Sequence, residues 1–259
     1  RQIKLTIRDK AFIMSRIMQA ILVGAITGSL FNNTPNEDTQ TLSGMLFFDV
    51  LFCALSSMAM IPIIFEQRQV FYKHSRAMFY PTSAFVIAQT LVLIPVQIIE
   101  TIVFASIVYW SVGMLDADNG ERFFVFLLIL FAFNLCSTQY IRTIASFMPA
   151  PVTAQSLSGV GLVLMVLFSG YILPKSSIPD GWTWFYWLNP LAWALKSVTI
   201  NEYLSSDYDW LICMDDPCTV QKRFGDVYLE SRGNPTDSSW IWYGFAVLIG
   251  EFFVYIPNE

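Results

Sequence analysis

The chain has 259 residues, of which 55% are hydrophobic and only 14% are charged. Soluble domains carry about a quarter charged residues, so this composition argues against a soluble domain and favours a membrane protein. The formal net charge is −5, and the absence of a basic stripe argues against nucleic acid as a partner.

Long apolar runs recur along the chain. A helix needs about 20 mostly apolar residues to cross the hydrocarbon core of a bilayer. Six runs meet this requirement: residues 12–31, 43–65, 82–113, 123–148, 153–173 and 240–256. We therefore predict an all-α membrane protein with six transmembrane helices.

Small residues form a stripe along the first predicted span. Ala20, Gly24 and Gly28 recur every fourth position, a spacing that lets another helix approach closely. The stripe predicts a packing face without a catalytic role.

Basic residues predict the orientation of the spans. They cluster at the start of the first span (Arg1, Lys4, Arg8, Lys10 and Arg16) and between spans two and three (Arg68, Lys73 and Arg76). By the positive-inside rule, both termini are predicted to be cytoplasmic. The sequon at Asn32 then lies outside, where it is either a glycosylation site or an equally plausible chance match.

Three ionisable residues lie inside predicted spans: Asp49, Glu100 and Arg142. Such groups are functional candidates, since their burial costs several kcal/mol unless they are paired or hydrated. For Asp49 and Arg142 a structural role is favoured. Glu100 is the stronger functional candidate, with a structural hydrogen bond as the alternative.

The long loop 174–239 is predicted to lie outside. Its first part crowds aromatic residues around Pro and Gly, which predicts either an interfacial aromatic belt or short helices that partly re-enter the membrane and break at Pro179 and Pro190. The rest is acidic and rich in turns, as expected of a solvated cap.

The four cysteines fall into two classes. Cys53 and Cys136 lie in apolar runs and are expected to act as small hydrophobic residues. Cys213 and Cys218 lie in a polar loop, where a disulfide and a pair of free thiols are both open.

Signatures of catalysis are missing from the sequence. It has no HExxH, no GxSxG and no GxxxxGK[ST] phosphate-binding loop, and its single His argues against a His-based metal cluster. We predict no catalytic residue, no metal and no cofactor on this chain.

Four stretches, in order, resemble one family. They are "FEQRQVFYKHSRAMFYPTSAF" (65–85), "IPVQIIETIVFASIVYWSVG" (94–113), "LFSGYILPKSSIPDGWTWFYWLNPLAWAL" (167–195) and "NEYL" (201–204). Together they resemble the transmembrane domain of a G-subfamily ABC exporter of the pleiotropic drug resistance type, an ABC-2 type membrane domain. The resemblance covers essentially the whole chain.

The resemblance implies an ATP-driven pump in the plasma membrane. Such pumps join each six-span domain to a nucleotide-binding domain, which binds ATP and Mg, and pair two such units, identical or different. Their substrates are amphipathic drugs, sterols or lipids. This chain lacks the nucleotide-binding domain and is expected to be a piece of a longer pump.

Two other functions were weighed from the residues. One is a polytopic channel or a proton-coupled transporter that uses Glu100. The other is a membrane-embedded enzyme, which is the poorest because no catalytic constellation is present.

The resemblance also assigns segments and residues to roles. Residues 1–11 would end an amphipathic connecting helix, and residues 12–256 would form the membrane domain. The substrate cavity would be lined by spans two and five: Phe47, Val50, Leu51, Ala54, Met58, Gly159, Val163 and Val166.

Two further assignments concern the ends of the cavity. Tyr171 and Ile172 would form the valve above it, with Tyr171 departing from the aliphatic residue of some relatives. Contact with the nucleotide-binding domain would fall on a cytoplasmic coupling helix with Glu66, Arg68, Phe71, Tyr72, Lys73 and Arg76. Glu66 is expected to pair with Arg8 or Lys10.

Overall fold

The computed structural model describes residues 8–32, 39–77, 79–80, 82–113, 120–213 and 221–256. Most of the predicted connecting helix, residues 1–7, lies outside these residues, as does Cys218. The described part is mostly helical, which confirms the predicted helical class.

The helices follow one another with short connections. They are α1 (Lys10–Leu30), α2 (Thr39–Ser57), α3 (Met60–Arg76), α4 (Thr82–Val112), α5 (Glu121–Phe147), α6 (Pro151–Leu167), α7 (Thr183–Trp187), α8 (Pro190–Tyr203), α9 (Phe224–Ser231) and α10 (Ser239–Val254). Two short antiparallel strands, β1 (Leu211–Cys213) and β2 (Gln221–Arg223), pair Leu211 with Arg223.

Within the described residues, four segments are long and apolar enough to cross a membrane. They are Lys10–Leu30, Thr39–Ser75, Ser83–Val112 and Glu121–Phe147. The apolar helices α6 and α10 have only 17 and 16 residues, fewer than the roughly 20 of a typical span. The count of six spans therefore stays a prediction.

The second predicted span crosses a break in the helix. The chain turns at Met58 and Ala59, whose backbone N–H groups donate to Leu55 and Ser56 over three residues instead of four. Pro62 in the first turn of α3 has no N–H to donate, and proline is tolerated at the start of a helix for that reason. The predicted span at 43–65 is thus the end of one helix and the beginning of the next.

The small-residue stripe of α1 packs against α4, as predicted. Ala20, Gly24 and Gly28 are all buried. A Cβ at Gly24 would lie 3.3 Å from Ile107 Cγ2, and one at Gly28 would overlap Ser111. Glycine is required at Gly28 because the two helix backbones approach so closely.

Helix α8 is buried at the centre of the helix packing. All its residues are buried, and it packs against α2, α5 and α10. Asn189 caps it by accepting from Leu191 N at 3.1 Å, and donates in turn to Met165 O and Phe168 O at 2.8 and 3.1 Å. One amide therefore joins the start of α8 to the end of α6.

Short helices begin after both predicted break points. A 3₁₀ helix, Asp180–Trp182, follows Pro179, and α8 begins at Pro190. Their predicted partial re-entry into the membrane stays a prediction. Beyond α8, the two strands and α9 form the segment that was predicted to be the outer cap. Tyr228 of α9 stacks on Tyr203 at the end of α8, with ring centroids 4.2 Å apart.

Candidate functional site

The predicted cavity residues on α2 fall into two groups. Phe47, Leu51 and Met58 are half-buried, whereas Val50 and Ala54 are buried in the core. The latter two offer no surface to a bound molecule in this conformation. The reason is the helical period: positions 50 and 54 lie on the stripe of α2 that faces the core, about 100° and about 60° around the helix from Leu51.

The predicted cavity residues on α6 lie on its outer side. Val163 is 64% exposed, and Gly159 and Val166 are half-buried. Nothing lies within 4 Å of a Cβ built on Gly159. Because α5 packs against both α2 and α6, the partly exposed faces of these two helices flank the same central helix.

The predicted valve joins α2 to the segment that follows α6. The rings of Phe47 and Tyr171 stack with centroids 4.5 Å apart and planes 9° apart. A Cβ on Gly44 would lie 3.0 Å from the Tyr171 hydroxyl, so the ring fills the space beside α2. Ile172, the other predicted valve residue, is 53% exposed and takes no part in the stack.

An arginine of the outer cap holds this segment. Arg232, directly after α9, donates to Tyr171 O at 3.4 Å and to Gln40 Oε1 at 2.9 Å. Its guanidinium also lies 5.7 Å from the Tyr171 ring centroid, within the range of a cation–π contact. Arg232 thus ties the cap to the valve segment and to the start of α2, a role that we did not predict.

A buried ion pair lies between α1 and α4. Arg16 Nη2 is 2.9 Å from Glu100 Oε2, and both side chains are about 2% exposed. The same Nη2 lies 3.4 Å from Ser56 Oγ and 3.5 Å from Ser56 O. Glu100 therefore has a partner inside the bundle, and that partner is a residue we had counted among the flanking bases of the first span.

Polar contacts continue from this level across the bundle. Ser57 Oγ lies 2.8 Å from Ser137 Oγ, and Gln97 Nε2 donates to Thr138 Oγ1 at 2.6 Å. Asn134 Nδ2 donates to Thr101 Oγ1 at 3.2 Å. These uncharged side chains connect α2, α4 and α5 by hydrogen bonds. The sequence does not predict that they lie together, because their spacing along the chain forms no recognisable motif.

The other two intramembrane ionisable residues are also buried. Arg142 Nη1 donates to Thr90 Oγ1 at 2.8 Å. Neither carboxylate oxygen of Asp49 has a hydrogen-bond partner in the part of the chain that the structure describes.

The predicted coupling segment is the second half of α3. Arg68 donates to Met148 O at 2.6 Å and to Ala145 O, and its guanidinium lies 4.4 Å from the Phe65 ring centroid. It thereby satisfies carbonyls at the carboxyl end of α5, where a cation is favoured. This contact links α3 mechanically to α5.

Aromatic residues anchor the same segment. Phe71 is buried and stacks on Phe85 at 4.6 Å between centroids, and His74 Nδ1 lies 3.2 Å from the Tyr80 hydroxyl. Tyr72 and Lys73 are exposed. Arg76 closes α3, and its side chain lies outside the described part of the structure.

Glu66 is exposed and forms no ion pair among the described residues. The expected pairing with Arg8 or Lys10 is therefore not made. Gln67, its neighbour on α3, lines a cavity together with Arg8, whereas Glu66 lines a groove beside Pro149. Successive helical residues point about 100° apart, so Glu66 faces away from α1.

Two ionisable residues on α8, outside the candidate spans, have shifted pKa values. Burial, reinforced by Lys175, lowers the pKa of Lys196 to about 8; its Nζ lies 4.5 Å from the Trp193 ring centroid and 4.7 Å from that of Trp187. Burial, reinforced by Asp207 and opposed by Arg122, raises the pKa of Glu202 to about 7. The sequence gives no signal for them, because residues 190–203 fall within the predicted outer loop.

The remaining predicted sites are only partly visible. Cys53 and Cys136 are buried free thiols, as expected. Cys213 ends β1. The choice between a disulfide with Cys218 and two free thiols stays open, because Cys218 lies outside the described part. Asn32 is exposed beyond the end of α1, and its glycosylation stays a prediction.

Comparisons with known proteins agree on one family. Residues 1–203 match the family described as "ABC-2 type transporter". The chain is 34% identical over 272 aligned residues to "ABC transporter G family member 2" of Dictyostelium discoideum, with 96% of this chain and 20% of that protein covered.

Plant proteins give the same result at lower identity. "ABC transporter G family member 31" of Arabidopsis thaliana is 28% identical, with 96% of this chain and 17% of that protein covered. "Pleiotropic drug resistance protein 1" of Petunia axillaris is 26% identical, with 98% of this chain and 18% of that protein covered. The chain spans about a fifth of the length of these relatives.

The family match covers more than half of the chain, and the relatives carry the names that the motifs predicted. The resemblance drawn from the sequence is thereby confirmed. The chain belongs to the ABC-2 type transporter family and is an integral membrane domain related to G-family ABC transporters.

Proposed function

We propose that this chain forms one membrane half of an ATP-driven exporter of amphipathic compounds such as drugs, sterols or lipids. A nucleotide-binding domain outside this chain would bind ATP and Mg, and a second membrane half, identical or different, would complete the pathway. We place the pump in the plasma membrane with both termini cytoplasmic. The observation that carries the proposal is the set of partly exposed side chains on α2 and α6, two helices that both pack against α5, next to the Phe47–Tyr171 stack.

The composition of α6 supports a pathway at this face. Val163 and Val160 are exposed, and so are Gln155 and Ser156 on the same helix. An unpaired amide facing hydrocarbon costs several kcal/mol, so a face that mixes Gln and Ser with Val suits water, another protein surface or an amphipathic molecule better than lipid. The half-buried side chains of Phe47 and Leu51 would supply the apolar contacts from α2.

Substitution by tryptophan tests the pathway. Leu51→Trp and Val163→Trp fill the space at the face, and we expect each to abolish export of a fluorescent amphiphile from proteoliposomes while ATP hydrolysis persists. Ile26→Trp is the matched control, because Ile26 is 56% exposed on α1 and belongs to neither helix. Normal export by both test variants would contradict the proposal.

We also propose that the second half of α3 passes force from the nucleotide-binding domain to α5. The contact of Arg68 with carbonyls at the end of α5 supports this role, and exposed Glu66 offers a docking charge. We expect Arg68→Ala and Glu66→Ala to hydrolyse ATP with less export per ATP. Lys222→Ala in the outer cap is the control, and an unchanged ratio in both test variants would refute the coupling role.

A proton-coupled transporter using Glu100 makes a different prediction. Its export would stop when the proton gradient is collapsed with ATP kept constant. We expect export to continue, because Glu100 is held in an ion pair with Arg16. Measurement of export with an ionophore and an ATP-regenerating system distinguishes the two functions.

A further inference from the structure

A second cavity lies away from the proposed pathway. It has a volume of about 560 Å³ and is enclosed by the start of α1, by α3 and by α4, with Arg142 of α5 in its wall. This volume is within the range of sites that hold small molecules. Its apolar lining includes Ile63, Val92 and Leu93.

Arg142 has no ion-pair partner among the residues that the structure describes. Arg142 is only 4% exposed, and its Nε has no hydrogen-bond partner among the described residues. No carboxylate lies within ion-pair distance of its guanidinium in the described ranges. A buried charge without a counter-charge is strongly unfavourable, so the arrangement suits an anion.

The single described partner of Arg142 cannot neutralise it. Thr90 Oγ1 accepts from Arg142 Nη1 at 2.8 Å, donates to Val86 O at 3.0 Å and also lies 3.4 Å from Gln139 Nε2. Thr90 is therefore an uncharged acceptor shared by two donors. The guanidinium keeps its full charge and further N–H groups for a ligand.

The other polar groups of the lining leave an excess of positive charge. Arg8 and Asp9 lie at the exposed start of α1, where Asp9 Oδ1 already accepts from Phe12 N at 3.1 Å. Gln67 and Gln89 hydrogen-bond to each other across α3 and α4. With two arginines against one aspartate, the lining attracts an anion through its open side.

We propose that this cavity binds the phosphate headgroup of an anionic phospholipid. Arg142 would donate to the phosphate oxygens, for which the planar guanidinium is well suited. An acyl chain would extend along Ile63, Val92 and Leu93, with the headgroup between Arg142 and Arg8. The bound lipid would wedge between α1, α3 and α4, beside the coupling segment and apart from the pathway at α2 and α6.

Native mass spectrometry of the detergent-purified protein tests the site. Phosphatidylserine, phosphatidylcholine and inorganic phosphate are added in turn, and the retained ligand is counted at equal activation energy. We expect phosphatidylserine to be retained in preference. Arg142→Gln should lower its retention about tenfold, which corresponds to about 1.4 kcal/mol, because a hydrogen bond from a charged donor is lost. Lys73→Gln removes the same charge from exposed α3 and should leave retention unchanged.

A second variant tests the cavity without removing the charge of Arg142. Leu93→Trp fills the cavity and leaves Arg142 in place, so it should reduce retention of phosphatidylserine at an unchanged melting temperature. If Arg142→Gln does not fold, Leu93→Trp decides the outcome alone.

Three results would overturn the proposal. Retention equal to wild type in both cavity variants would exclude the site. An equal loss in Lys73→Gln and Arg142→Gln would assign the lipid to surface charge. Retention of inorganic phosphate that depends on Arg142, with no retention of phosphatidylserine, would assign the site to free phosphate.

Discussion

Arg16 on α1 and Glu100 on α4 meet at 2.9 Å inside the helix bundle, with both side chains about 2% exposed. Neither helix propensity nor apolar periodicity predicts that these two residues contact each other. The small residues of α1 already pack closely against α4. The ion pair adds an electrostatic contact between the same two helices.

Removing one partner of this pair should destabilise the bundle strongly. Arg16→Gln or Glu100→Gln leaves a buried charge alone, which costs about 3–5 kcal/mol. We expect the double variant to recover most of the loss, because both charges are then gone. Equilibrium unfolding in mixed micelles measures the cycle, and losses that simply add would show that the two residues act independently.

Alanine should have opposite effects at two helical glycines. At Gly28 a methyl group would overlap Ser111 of α4, and we expect a loss of about 1–3 kcal/mol from overpacking. Gly250 on α10 has nothing within 4 Å of a built Cβ, so Gly250→Ala should gain up to about 1 kcal/mol from helix propensity. Melting temperatures of the two variants provide the comparison, and an equal response would refute the close approach of α1 and α4.

The arginine of the outer cap should control the mobility of the valve segment. Arg232→Ala removes hydrogen bonds to Tyr171 O and Gln40, a loss of about 1.5 kcal/mol for a charged donor. We expect faster amide hydrogen exchange in residues 169–173. Lys222→Ala is the control, because its ion pair with Glu230 is exposed and contributes less than about 1 kcal/mol. An unchanged rate of amide hydrogen exchange in residues 169–173 of Arg232→Ala would contradict this role of Arg232.

Stability should depend on pH through Glu202. Burial raises the pKa of this carboxyl from 4.5 to about 7, so between these values the folded state binds more protons than the unfolded state. Stability is therefore lost as the pH rises from 4.5 through 7, by up to roughly 3 kcal/mol from this group. Glu202→Gln should match wild type at pH 4.5 and melt higher at pH 8, and parallel pH profiles of the two proteins would contradict this.

Much of the membrane architecture was predictable because its signals are local. Apolar runs predicted the long helices α1, α4 and α5 to within a few residues, and the spacing of Ala20, Gly24 and Gly28 predicted a helix contact. The motifs between 65 and 204 predicted the family. The break at Met58 was missed, since hydropathy continues through Pro62 and does not register a turn.

The predicted cavity residues on α2 show that apolar periodicity alone does not decide which side of a membrane helix faces the core. Val50, Leu51 and Ala54 are all apolar, and only the packing of α2 against α5 and α8 decides that Val50 and Ala54 face the core. Glu66 shows the same limit, because its direction depends on how α3 is rotated relative to α1.

Composition and short-range spacing were sufficient to predict the helical membrane class, the family and the position of charged residues along each helix. The partners of those charged residues could not be predicted in this way, because they depend on how the helices pack. Helix packing pairs Glu100 with Arg16, directs Arg68 to the end of α5, brings Arg232 to Tyr171 and leaves Arg142 in the wall of a cavity with no ion-pair partner among the described residues. Such contacts join residues from helices distant in the chain, and their geometry exists only once the helices have packed.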